Sequence, residues 1–179
     1  MTAARYIAVT SLLALILFAD NVQAQQMGRT SAVTVGVRQY NNHPDDTEFP
    51  FGDSDLGYLM AYEFHEGNAF WQFGLGYTPS ASATSQVAEV EYVITPQLHL
   101  VYQDGSLMMG VGALKHYISD TNGKHWTSIY WELMLGLQLP ISTSVSIQGL
   151  ACYQFRDWGN LGDFDTSEIE FGVNLSCKF

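Results

Sequence analysis

Three polar residues in the second half of the chain have types suited to nucleophilic catalysis. Ser119 follows His116 by three positions, and Glu132 lies on the next periodic segment of the sequence. A serine nucleophile needs a histidine base and an orienting carboxylate within hydrogen-bond reach of one another. These three residues are therefore the candidate catalytic set, with a purely structural role as the alternative.

Carboxylates also gather in two polar stretches, 41–55 and 156–166. The first contains Asp45, Asp46, Glu48, Asp53 and Asp55, and the second contains Asp157, Asp163 and Asp165. Hard cations such as calcium bind oxygen ligands of this kind. Because no spacing matches a dedicated calcium-binding loop, we predict solvated carboxylates, with no metal site and no cofactor.

The elements that must position these residues are strands, because apolar side chains recur at every second position. Eight alternating segments can be counted, at 31–40, 56–65, 71–78, 88–103, 107–116, 128–138, 145–155 and 169–179. The alternation in the fourth segment is unbroken, so we predict one long strand there. The sequence is therefore all-β.

The connections between these segments alternate in length. Short, turn-rich connections follow the second, fourth and sixth segments, at 66–68, 103–106 and 139–143. Long connections follow the first, third, fifth and seventh segments, at 41–55, 79–86, 119–126 and 156–166. An up-and-down arrangement with tight turns at one end and long polar loops at the other explains this alternation.

The two faces of the segments differ in kind. One face is large, apolar and often aromatic, whereas the other combines charged and amide groups with many glycines, among them Gly36, Gly74 and Gly112. Glycines on the polar face indicate that this face is the crowded concave one. We predict an eight-stranded antiparallel transmembrane up-and-down β-barrel, with a secreted β-sandwich or lipocalin-like barrel as the alternative.

A barrel of eight strands has an interior just wide enough for side chains. The alternation turns a set of charged and imidazole groups inward, and buried charges must pair or change their protonation. We predict a lumen filled by a salt-bridged polar network, with a narrow ion-conducting channel as the alternative. The predicted network consists of Arg38, Glu63, Glu89, Glu91, His99, His116, Glu132, Arg156, Glu168 and Glu170.

The first 24 residues have the pattern of a cleaved secretory signal peptide. Arg5 precedes an apolar run from Ile7 to Ala19, which is too short to span a membrane, and Val22 and Ala24 supply the small residues before the cleavage point. Residues 25–179 then form one domain by length. The net charge of −11 argues against nucleic acid as a partner.

The C-terminal segment alternates up to the last residue, with Phe171, Val173, Leu175, Cys177 and Phe179 on one face. This ending resembles the C-terminal signature of bacterial outer-membrane β-barrels, although that family more often has an aromatic residue at the position of Cys177. The resemblance implies that Phe179 is an assembly signal for the barrel-assembly machinery, and that the last strand closes the barrel against the first.

A second resemblance bears on catalysis. Outer-membrane lipid A 3-O-deacylases use a His-x-Ser pair and a carboxylate near the outer leaflet, and His116, Ser119 and Glu132 are similar in type. The spacing here is one residue too long, and the alternation turns His116 and Glu132 inward, away from a lipid substrate. A lipid-modifying enzyme therefore stays an alternative function.

The sequence thus favours a small, monomeric barrel in the outer membrane of a Gram-negative bacterium. Its expected partners are outer-membrane lipid and lipopolysaccharide, the barrel-assembly machinery and an external ligand bound through loops 41–55 and 156–166. Surface binding, adhesion or envelope integrity would be its task. The aromatic residues of those loops, Phe49, Phe51, Trp158 and Phe164, suit either ligand recognition or packing at the barrel mouth. Cys152 and Cys177 fall on opposite faces, so we predict no disulfide between them.

Overall fold

The chain forms a closed barrel in which each strand pairs antiparallel with its neighbours in sequence order, and the last strand pairs with the first. This computed structural model describes residues 29–43, 46–82, 90–159 and 164–179. The predicted signal peptide lies outside the described residues. The predicted fold class, an eight-stranded antiparallel up-and-down barrel, is confirmed.

The strands follow the predicted segments closely. They are β1 (Arg29–Gln39), β2 (Leu56–Glu66), β3 (Ala69–Pro79), β4 (Val90–Asp104), β5 (Leu107–Asp120), β6 (Gly123–Pro140), β7 (Val145–Phe155) and β8 (Glu170–Lys178). A single turn of 3-10 helix, Thr166–Glu168, precedes β8. In the described part of the chain, no helix has the length and apolar character needed to cross a membrane.

The apolar face of nearly every strand points away from the barrel axis. Large apolar side chains are exposed around the whole wall, among them Tyr58, Met60, Tyr62, Phe73, Leu75, Leu98, Met109, Leu135, Leu137, Ile147, Val173 and Leu175. The polar face is buried in the lumen. This inverted arrangement, with apolar groups outside and polar groups inside, is that of a barrel built for lipid.

The two ends of the chain meet in the closing pair of strands. The register of β1 and β8 runs from Ala32 opposite Lys178 to Gln39 opposite Phe171. Beyond it, the backbone N–H of Phe179 donates to the carbonyl of Ser31 at 2.9 Å. Closure therefore continues to the last residue, and it leaves no unpaired edge between the first and last strands for lipid to cover.

One predicted long loop is wrong. Residues 119–126 were expected to form an external loop, but β5 continues to Asp120 and β6 begins at Gly123, so only two residues turn the chain. The Asp120 carboxylate accepts the backbone N–H groups of Asn122 and Gly123, which stabilises this tight turn. The strand ends that flank the other three predicted long connections lie at the same end of the barrel, as predicted.

The unbroken alternation predicted for the fourth strand is also wrong at its outer end. The register shifts between Val90 and Tyr92, which turns Val90 into the lumen and leaves Glu91 exposed. A second register shift lies between Lys115 and Tyr117 in the pairing of β5 with β6. Near it, Thr127 is buried and Ser128 is exposed. Bulges of this kind re-aim side chains where strands approach a barrel rim.

Candidate functional site: the lumen and the outer mouth

The outer half of the lumen is organised around one buried arginine. Arg38 of β1 donates through Nη2 to Glu132 of β6 at 2.5 Å and through Nε to Glu170 of β8 at 2.6 Å. Both carboxylates are completely buried, and the arginine side chain is only 11% exposed. Three strands that are distant in sequence are therefore joined by charge-assisted hydrogen bonds inside the barrel.

Imidazole and amide groups extend this arginine cluster. His99 Nε2 lies 3.0 Å from Glu132 Oε1, although the two atoms are not aligned for a hydrogen bond. Gln154 donates to Glu170 at 3.1 Å. Gly112 lies beside the His99 ring, and a Cβ at that position would overlap it. The glycine is therefore required so that a ring fits across the narrow lumen.

A second polar cluster fills the half of the lumen nearest the short turns, around Glu63. This carboxylate accepts hydrogen bonds from Thr34 at 2.6 Å, Gln72 at 3.1 Å and Gln148 at 3.3 Å, and it lies 2.9 Å from the ring nitrogen of His65. Within the described ranges no lysine or arginine forms an ion pair with it. The buried carboxylate is thus held by neutral donors and one histidine.

Loop 41–55 closes the outer mouth by folding into it. Phe49 and Phe51, which carry no strand-like periodicity, are completely buried. Phe51 stacks on Tyr40 with ring centroids 3.7 Å apart, and Phe49 meets Tyr130 edge-on at 5.9 Å. Val93, Leu114 and Ile118 complete this apolar plug. For these two phenylalanines, packing rather than ligand recognition is what the structure supports.

The acidic residues of the loop fasten this plug to the barrel. Asp46 accepts a hydrogen bond from the Tyr130 hydroxyl at 2.9 Å and forms an ion pair with Arg156 Nε, also at 2.9 Å. Glu48 accepts the backbone N–H of Ser128 at 3.0 Å and lies 3.5 Å from Arg156. The Ser128 N–H lowers the pKa of the Glu48 carboxyl, and the Arg156 charge adds to this effect. These carboxylates are thus attached to the barrel wall.

Truncating the two plug phenylalanines tests this description of the mouth. We expect Phe49→Ala/Phe51→Ala to release loop 41–55, because each truncation removes a fully buried ring whose loss costs about 3–5 kcal/mol in a packed core. Protease cleavage within the loop should then increase at least tenfold, and single-channel conductance in planar bilayers should rise above that of the unmodified chain.

The matched control for the plug is Trp158→Ala, which truncates an exposed ring of another external loop. It should leave cleavage of loop 41–55 unchanged. Equal cleavage rates in the double variant and the unmodified chain would contradict the plug.

The candidate catalytic set is not assembled. His116 is fully buried, and its ring nitrogens lie 2.9 Å from Thr95 Oγ1 and 3.2 Å from Gln154 Oε1. Ser119 donates instead to Glu91 at 3.1 Å. Glu132 is occupied by Arg38, as described above. The hydrogen bonds of His116, Ser119 and Glu132 therefore go to different partners, and nothing joins the three into a relay.

The predicted lumen residues divide between these clusters and the rim. Arg156, predicted inside, lies at the outer rim with a side chain 38% exposed, and Glu91 is likewise exposed. Glu168 lies at the mouth, 3.7 Å from His43. Glu89 lies outside the described residues. The other predicted residues lie inside: Glu63, His99, His116, Glu132 and Glu170 are buried, and Arg38 is paired with two of them.

The structure adds residues that the sequence analysis did not assign to the network. Gln72, Gln148 and Gln154 carry much of the lumen hydrogen bonding. Each of these glutamines alternates with outward-facing apolar residues, and this pattern could have identified them as lumen residues. In contrast, nothing in the local pattern singles out His43, which stacks on Phe49 at 3.9 Å.

The two cysteines lie on opposite faces of the wall, as predicted. Cys152 is buried in the lumen and Cys177 lies on the outer face of β8, and both thiols are free. Among the residues that the structure describes, no three or more His, Cys, Asp and Glu side chains are grouped so as to hold a metal ion.

Comparison with solved structures places this fold beside small surface barrels. Neisserial surface protein A superposes with a TM-score of 0.54 at 9% identity, covering 86% of this chain and 98% of that one. Ail, the attachment invasion locus protein of Yersinia pestis, superposes with a TM-score of 0.51 at 12% identity, covering 86% and 100%. Identities this low establish a shared fold only. No protein-family model and no curated protein matches the sequence.

Proposed function

We propose that this protein is an outer-membrane β-barrel whose lumen is closed and whose activity lies at its outer surface. The observation that carries the proposal is the plug: loop 41–55 fills the mouth above two polar clusters that fill the interior. A barrel closed in this way is unsuited to diffusion through its lumen. The surfaces that remain accessible to an external ligand are the rim and the loops around it.

Membrane insertion is supported by the exposed apolar wall. Contiguous apolar patches on soluble monomers rarely exceed a few hundred Å², whereas large apolar side chains surround this barrel. We propose that residues 1–24 direct export and are cleaved after Ala24. The aromatic end of β8 would then be read by the barrel-assembly machinery before Phe179 pairs with Ser31, and the folded product would be a monomer.

The side chains exposed at the outer end of the barrel are aromatic and acidic. Trp158 and Phe164 of the last external loop are 47% and 48% exposed, and Asp157 and Asp165 are exposed beside them. Ail has been solved with a heparin analogue, sucrose octasulfate, which is a polyanion. The acidic rim described here would repel such a ligand, so we propose an external ligand that carries cationic groups.

The first test is fractionation followed by electrophoresis with and without boiling. We expect the protein in the outer-membrane fraction, beginning at Gln25, with a folded band that shifts on boiling, because closed barrels resist detergent until heated. The folded protein should be retained on immobilised polylysine and not on immobilised heparin.

Trp158→Ala/Phe164→Ala should weaken retention on polylysine at least threefold, while the inward-facing variant Thr34→Ser leaves it unchanged. Recovery in the soluble fraction without a heat shift would overturn the membrane assignment. Retention on heparin instead of polylysine would overturn the proposed ligand class.

A further inference from the structure

An apolar groove crosses the lipid-facing wall over β3, β4, β5 and β6. It has a volume of about 450 Å³, and its exposed walls are the side chains of Phe73, Pro96, Leu98 and Ile129, with Lys115 at one end. Its floor is deepened by Ala113, which pairs with the larger Leu98 on one side and Trp131 on the other. The small side chain leaves a depression between bulky neighbours.

Lys115 turns the upper end of this groove into a cationic site. Its ammonium lies 5.8 Å from the centroid of the Trp126 ring, which in turn packs on Tyr117 at 4.9 Å. Lys124 lies on the same outward face of β6, where it interacts with the Tyr92 hydroxyl. Lys115 therefore ends the groove, and Lys124 and three aromatic rings lie further along the same outward face.

Lys115 and Lys124 lie along the barrel at the level expected for lipid headgroups. A membrane-spanning strand needs about 9–11 residues, and β5 starts at Leu107, directly after the short turn at Gly105. The outer boundary of the membrane therefore falls near Lys115, and Lys124 lies just beyond it. An acyl chain in the groove would extend from this level toward the middle of the membrane.

Charge favours an anionic occupant. The chain carries a net charge of −11, yet two of its seven lysine and arginine residues lie on this one outward face, Lys115 opposite Ile129 and Lys124 opposite Ser119. Within the described ranges, no carboxylate lies within ion-pair distance of Lys115. Glu91 lies close enough to Lys124 to offset part of its charge, which makes Lys115 the principal cation.

We propose that this groove binds an anionic phosphorylated lipid of the surrounding membrane. One acyl chain lies in the groove, and the phosphate contacts Lys115 and Lys124 at the level of the aromatic rings. The inference rests on the proposed membrane insertion. It assigns a specific lipid site on the outer wall, separate from the lumen and from the external loops.

Quenching of tryptophan fluorescence by brominated lipids tests the site, because the Trp126 ring lies beside Lys115 at the cationic end of the groove. The full mature chain is reconstituted in phosphatidylcholine vesicles and titrated with brominated phosphatidylglycerol or brominated phosphatidylcholine. We expect at least a fivefold preference for the anionic lipid, since each lysine near a charged headgroup contributes about fivefold. Lys115→Gln/Lys124→Gln should reduce this preference to near parity.

Two further variants distinguish the effect of the groove and its lysines from the effect of the overall charge of the protein. Lys178→Gln removes one cation from the opposite end of the barrel and should keep the preference, whereas Ala113→Leu fills the groove without changing charge and should weaken it. The lipid site alone would be overturned if the inserted, heat-shifted barrel showed no preference for the anionic lipid. It would also be overturned if Lys178→Gln reduced that preference as much as the double variant does. A chain that never gives the heat shift would overturn the proposed membrane function instead.

Discussion

Replacing Arg38 with leucine is expected to lower the free energy of unfolding by about 3–5 kcal/mol. The change removes the cation that joins Glu132 and Glu170, and it leaves two completely buried carboxylates facing each other without their partner. The hydrogen-bonded charges stabilise the folded barrel only as a set, so losing one member costs more than the attraction it supplied. Urea unfolding in phospholipid vesicles, followed by tryptophan fluorescence, measures the change.

Arg156→Leu is the matched control, because it makes the same substitution at the rim. The Arg156 side chain is partly exposed, and its ion pairs with Asp46 and Glu48 are screened by water. We expect a loss of about 1 kcal/mol or less. Equal destabilisation by the two variants would show that Arg38 does not hold a special position in the lumen.

Replacing Glu63 with leucine is expected to cost about 3 kcal/mol. The carboxylate is the common acceptor for Thr34, Gln72 and Gln148 in a completely buried setting. Each buried donor left without an acceptor costs about 1–3 kcal/mol, although some of the amides can pair with one another after the change. The same urea titration reports the loss, and the heat-shifted band confirms that the variant still folds.

Glu63→Gln provides the comparison for this second variant. Glutamine keeps the volume and one carbonyl acceptor, so part of the hydrogen bonding survives, and a loss of about 1 kcal/mol is expected. The prediction requires leucine to be clearly worse than glutamine. If the two variants unfold at the same urea concentration, the hydrogen bonds to Glu63 do not stabilise the lumen.

The sequence by itself determined the eight strands, the faces of most of their residues and the end of the barrel at which the long loops lie. Period-two alternation is a local property, because successive side chains of a strand must point to opposite sides. Glycines such as Gly112 on the polar face indicated a crowded interior, and the structure places that glycine beside the His99 ring. The alternation of the last segment predicted a strand there, and the structure pairs that strand, β8, with β1.

Only the tertiary structure decided how the mouth is closed and which lumen groups pair. Phe49 and Phe51 lie in a loop without periodicity, so their burial depends on the space that the finished barrel leaves at its rim. The bulge that turns Val90 inward and Glu91 outward likewise depends on the register with β5. Arg38 meets Glu132 and Glu170 because closure brings β1, β6 and β8 around one narrow lumen. Contacts between residues so distant in sequence are set by strand register and barrel diameter, which local side-chain patterns do not encode.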